Sequence, residues 1–174
     1  FPGLITTEPI NLRVYVAAVA ASATSMQLGV NGTAITSFSL SGSSSPSVAS
    51  EASYNGNINV NSSTISVNLN FDNLGNPSAL AYLDYIAIEG TRGLNFAGKQ
   101  FQFKNNATGL ATGIGEYTLT NASQVSEIWD VSDIYNISNF ENTDSQGTLS
   151  FTSALGTIKK YDTRTQNAGL RCVI

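Results

Sequence analysis

The run Leu80 to Glu89 carries apolar side chains at both parities of a two-residue period. Leu80, Tyr82, Ile86 and Ile88 fall on one face of an extended chain. Ala81, Leu83, Tyr85 and Ala87 fall on the other, and Asp84 is the only charge inside the run. A strand apolar on both faces is expected in the middle of a sheet, with layers packed on each side. Gly90 and Gly93 end the run, and Gln100 to Lys104 resumes alternation with Phe101 and Phe103 inward. The segment therefore reads as strand, turn, strand.

Short alternating runs recur along the chain. Leu12, Val14, Val16 and Ala18 follow the two-residue period, which favours a strand, while the neighbouring alanines keep a helix open. Met26 to Val30 and Thr33 to Leu40 flank Asn31-Gly32, a pair that tolerates the positive φ of a type I′ turn and so marks a hairpin. Ser41 to Ser50 is rich in serine and is expected to be an exposed loop. From Ser63 to Phe71 the pattern puts Ile65, Val67, Leu69 and Phe71 inward, with Ser66, Asn68 and Asn70 facing water. Further strands are expected at Tyr117–Leu119, Ser126–Val131, Gly147–Phe151 and Thr157–Tyr161.

The total of about ten short strands, with no helix, predicts an all-β fold, a two-layer antiparallel β-sandwich of jelly-roll-like form. The expected layout is a single sandwich domain over residues 1–161 and a polar tail or linker over 162–174. The opening at Phe1, with no charged-then-apolar leader, suggests a processed or excised fragment. Val14 to Ala23 is apolar, but about twenty residues are needed to span a bilayer.

Composition narrows the chemistry. Eight Lys and Arg against twelve Asp and Glu give a net charge of −4, which excludes a basic nucleic-acid face. Histidine is absent and Cys172 is the sole cysteine, so imidazole metal sites, Ser-His and Cys-His dyads and an internal disulfide are all excluded. Cys172 reads as a spare thiol. Asp84, Glu89, Glu116 and Glu127 are the candidate acids for glycan cleavage, but no two of them stand at i, i+2 on one strand. Asp72, Asn73 and Asn76 could ligate calcium, although Asx turns explain the same residues. Tyr54, Trp129 and Tyr135 are the aromatics that could stack on sugars, with packing as the simpler role. Trp129-Asp130 matches a propeller-blade dipeptide once only, so it is expected to be a buried tryptophan beside a solvated carboxylate. Sequons at Asn31, Asn61, Asn106, Asn121 and Asn136 are as many as this composition yields by chance. No catalytic residue, cofactor site or metal site is assigned.

Three blocks carry a family resemblance: LDYIAIEGTRGLNFAGKQFQF at Leu83 to Phe103, IWDVSDIYN at Ile128 to Asn136, and LSFTSALGTIKKY at Leu149 to Tyr161. In order and spacing they resemble the region preceding the catalytic domain in the gingipain-like signal peptidases of the bacterial type IX secretion system, the PorU sortase family. The resemblance implies a β-rich region leading into a caspase-like cysteine peptidase domain. The whole protein would act at the outer membrane, removing the carboxy-terminal sorting domain of cargo and joining the new end to a lipopolysaccharide anchor. With no histidine, no catalytic residue carries over. The resemblance thus implies a non-catalytic scaffold or recognition module. Its partners would be the peptidase domain of the same chain and proteins of the secretion apparatus or cargo, at the outer membrane surface or outside the cell. A carbohydrate-binding module and a structural or adhesive surface domain are the alternatives.

Overall fold

The structure is a computed structural model that describes residues 1–43, 48–143 and 145–165. It is all-β, built from antiparallel sheets, none of them closed into a barrel. Where one domain was expected over residues 1–161, the chain divides into two compact units, Phe1–Gly93 and Leu94–Ile174. Each has its own apolar cluster.

The first unit is a sandwich of two three-stranded sheets. One has the order β4-β1-β6, from Ser50–Ile58, Ile10–Val19 and Leu80–Glu89. The other has the order β3-β2-β5, from Thr33–Leu40, Thr24–Val30 and Val67–Asp72. Alternation decides which side chains meet between them. Leu12, Val14 and Val16 of β1 and Met26, Leu28 and Val30 of β2 are buried, and Leu69 and Phe71 of β5 pack against them. The wet face expected for β5 is present, with Asn68 and Asn70 exposed.

The β2–β3 hairpin turns on Asn31 and Gly32, with φ of 49° and 81°, the two positive values of a type I′ turn. Asn31 Oδ1 also accepts from the Ser66 amide at 2.8 Å, tying the turn to the approach of β5. Gly32→Val forces a β-branched residue into the left-handed region and is expected to cost about 1–2 kcal/mol. A lowered urea midpoint with an unchanged slope is the readout.

In the second unit the four-stranded sheet has the order β10-β9-β12-β7, from Ser138–Glu141, Val125–Asp130, Lys160–Thr165 and Gln102–Lys104. A two-stranded sheet pairs β11, Thr148–Ala154, with β8, Ile114–Thr120. Its core is aromatic, with Phe103, Tyr117, Phe140, Phe151 and Tyr161 in mutual contact. Residues 162–165 belong to β12, so the tail expected from residue 162 starts as a paired strand, with Thr163 fully buried. The remainder of that tail, Cys172 included, lies outside the described residues, as does the middle of the Ser41–Ser50 loop.

The largest departure concerns β6. It was expected at the centre of a sheet, covered on both sides; it lies at the edge of its sheet, paired to β1 alone. Leu80, Tyr82, Leu83 and Tyr85 are 54, 51, 51 and 46% exposed. No turn closes the described link from β6 to β7, and β7 pairs with β12 in the other unit, so the two strands of that segment are not partners.

Candidate functional site

What makes β6 distinctive is a β-bulge. Tyr15 of β1 pairs with Tyr85, and the next residue, Val16, pairs with Leu83, so Asp84 is skipped. Residues directly opposite on paired strands share a face. Leu83 and Ile86 therefore stand on the side of buried Val16 and Val14, whereas Tyr82 and Tyr85 join Ala17 and Tyr15 on the outer side. A strict two-residue period would have put Tyr82 and Tyr85 on opposite faces. The extra residue moves both to one side. It also places a carboxylate and a backbone irregularity on an open edge, two devices that limit indiscriminate strand pairing.

The outer face can be read row by row from the register. Asn57, Asn11 and Glu89 form one row and Asn55, Arg13 and Ala87 the next. Ser53, Tyr15 and Tyr85 follow, then Glu51, Ala17 and Tyr82. Tyr15 and Tyr85 lie near-parallel, with ring centroids 6.1 Å apart. The Tyr15 hydroxyl donates to Glu51 Oε2, and this hydrogen bond to the carboxylate holds the phenol above its ordinary pKa. Asn11 Nδ2 donates to Asn55 Oδ1 at 3.1 Å and to Asn57 Oδ1 at 3.2 Å. Arg13 and Glu89 approach to 4.0 Å across open solvent, where an ion pair contributes little.

In the second unit, the outward positions of β9 and β12 form a tight polar group. Arg164 sits over the Trp129 ring at 4.2 Å and pairs with Asp162 at 3.4 Å, while Trp129 Nε1 donates to Glu127. The next residue, Asp130, was expected to be solvated; it is buried and fully engaged. Lys159 Nζ lies 3.0 Å from Oδ2, and Oδ1 accepts from the Ser132 amide and hydroxyl at 3.1 and 2.5 Å. Burial pushes the carboxyl up, but the bonds from Ser132 and Lys159 outweigh it, and its pKa lies below the ordinary value. Trp129 itself is half-buried.

A depressed folded-state pKa gives stability that is complete above the unfolded value, about 3.9, and is lost as pH falls through the folded one. Asp130→Asn is expected to cost about 1–3 kcal/mol at pH 7, with the difference from the parent shrinking below about pH 4. Urea midpoints at pH 7 and pH 3 check this; an equal deficit at both would show that charge plays no part.

The remaining candidates are scattered. Asp84 and Glu89 lie on one strand five positions apart, about 16 Å in extended chain, beyond the reach of a two-carboxylate mechanism. Glu116 and Glu127 belong to different sheets of the second unit. Asp72 and Asn73 accept from the amides of Leu74 and Gly75, and Asn76 from Ser78, at 2.9, 3.0 and 3.2 Å, so all three form Asx turns. Among the described residues no group of three acids or cysteines could hold a metal ion. Of the suspected aromatics, Tyr54 packs against the first core, Trp129 lies under Arg164, and only Tyr135 is open, at 93% exposure. Tyr15, Tyr82 and Tyr85 were not singled out by sequence reasoning, because their shared face depends on the bulge.

No family model and no curated protein matches the sequence. Among solved structures, the chain is similar to dimeric latent PorU from Porphyromonas gingivalis, with a TM-score of 0.77 at 16% identity. The likeness covers 93% of this chain and 16% of that one. At this identity it establishes a shared fold, and the chain spans about a sixth of the neighbour's length.

Proposed function

We propose that the chain is a non-catalytic β-sandwich region of a type IX secretion sortase, acting as a scaffold or recognition module that docks an extended protein segment along β6. The observation that carries this reading is the exposure of β6. It is an edge strand whose inner-side residues Leu83 and Ile86 remain 51 and 36% exposed beside a sealed core. Such an edge offers backbone hydrogen bonds to an added strand and apolar seats for alternate side chains. The PorU likeness and the three resembling blocks support the choice of parent.

On this reading the parent carries a gingipain-like cysteine peptidase domain that cleaves the sorting domain of cargo, at the outer membrane surface or outside the cell. The partners are the secretion apparatus, cargo or the peptidase domain. The region itself catalyses nothing. Among the described residues no helix is long and apolar enough to cross a membrane.

The test is made in the full-length protein. Leu83→Lys combined with Ile86→Lys is expected to reduce cargo cleavage and surface attachment about tenfold. Leu83 is about half and Ile86 about a third exposed, so the isolated chain should stay folded, with a stability loss of no more than about 2 kcal/mol in urea. Undiminished cleavage and attachment would remove β6 from the recognition role.

A further inference from the structure

The outer face of the β4-β1-β6 sheet has a chemistry of its own, separate from the open edge and the inner side of β6. Three of its features point the same way. Its aromatic members are tyrosines, ring faces with a hydroxyl at the tip, and Tyr82 and Tyr85 are about half exposed. Next to them stands a fixed amide array. Asn11 bridges the side-chain oxygens of Asn55 and Asn57, which leaves the amide nitrogens of both without a protein acceptor among the described residues. Between Glu51 and Tyr82 in their row, and one position along the face from Tyr15, the side chain is only the methyl of Ala17.

Neighbouring strands are about 5 Å apart and successive outward residues about 7 Å apart. The Ala17 position is therefore a shallow seat the width of one sugar ring, with Tyr15 and Tyr82 as adjacent walls and Glu51 at its rim. A flat, weakly charged surface that pairs aromatic rings with planar hydrogen-bonding groups suits a ligand with apolar C–H faces and a rim of hydroxyls. The single positive charge on this face, Arg13, is outnumbered by Glu51 and Glu89, so the face has no net positive charge to draw an anionic ligand.

We infer that this face binds a neutral polysaccharide, with one sugar ring seated over Ala17 between Tyr15 and Tyr82, a neighbouring ring against Tyr85, and hydroxyls bonded to Glu51 and to the amides of Asn55 and Asn57. The inference does not depend on the parent assigned above, nor on strand addition at the edge.

The test is native affinity electrophoresis of the full chain in gels cast with dextran, mannan or a mixed-linkage β-glucan. At least one polysaccharide is expected to retard the protein. Tyr82→Ala and Tyr85→Ala should each weaken that retardation about tenfold, and Ala17→Gln, which fills the seat while keeping all three tyrosines, should weaken it comparably. Far-UV circular dichroism and the thermal midpoint verify folding, which half-exposed outer positions should leave intact. Unretarded migration in all three gels would overturn the inference. So would retardation that survives both tyrosine truncations.

Discussion

Tyr161→Ala is expected to destabilise the second unit by about 3–5 kcal/mol. Tyr161 is fully buried, with Phe151, Tyr117 and Phe103 ring centroids at 5.0, 5.2 and 5.3 Å and Phe140 at 6.5 Å. Truncation leaves a cavity that four rings line and none can fill without moving from its rotamer. Tyr161→Phe separates packing from polarity. It keeps the ring and removes only the hydroxyl that donates to Ser153 Oγ at 2.7 Å, for about 1 kcal/mol. Trp129 is the only tryptophan and lies in this unit, so its fluorescence during urea unfolding reports the change directly. Equal effects of the two substitutions would mean that the cluster packs more loosely than its centroid distances indicate.

Burial lifts the Tyr161 phenol above its ordinary pKa. A raised folded-state value means that the stabilisation is complete below about pH 10 and declines as pH rises through the folded pKa. Tyr161→Phe should therefore lose less stability than the parent between neutral pH and pH 11.

Asn142→Ala is expected to cost about 3 kcal/mol, and Asn142→Asp more than that at pH 7. This side chain is 6% exposed, and hydrogen bonds engage both ends of its amide. Its Nδ2 group donates to the carbonyls of Ala122, Val125 and Gln146 at 3.0, 3.0 and 3.2 Å, and its Oδ1 accepts from the Gln146 amide at 3.0 Å. One amide thus fastens the start of β9 and the turn of 3-10 helix at Ala122–Gln124 to the chain leaving β10. Alanine removes this donor from all three carbonyls, of which only that of Ala122 is also shown accepting from a backbone amide, that of Val125. A carboxylate in the same place aims negative charge at those oxygens, which raises the new acid's pKa, so the Asn142→Asp deficit should narrow as pH falls toward 4. Urea midpoints of both variants at pH 7 and pH 4 decide it. An Asn142→Asp variant as stable as the parent at pH 7 would show that the three donations are dispensable.

Asn142 and β4 show where sequence reading stopped short. Nothing in the letters around Asn142 marks it as buried, since its role needs carbonyls from twenty residues upstream. Strand β4, SEASYNGNI, carries little strand signal because asparagine and glycine are poor strand formers, yet Ala52, Tyr54, Gly56 and Ile58 alternate inward. Pairing with β1 along nine positions overrides that weak preference. By contrast the Asn31-Gly32 turn and the inward set of Ile65, Val67, Leu69 and Phe71 were readable, because each rests on interactions within a few residues.

The sequence by itself determined the strand texture, the hairpin, and the absence of any imidazole with which to build a catalytic dyad. Those follow from composition and from periods of two residues. Only the tertiary structure decided that β6 is an edge, that the chain forms two units, and that one skipped residue at Asp84 brings Tyr82 and Tyr85 to the same side. An apolar run specifies that a strand has surfaces to cover, but which neighbour covers them, and in what register, is settled by long-range pairing that a local pattern does not encode.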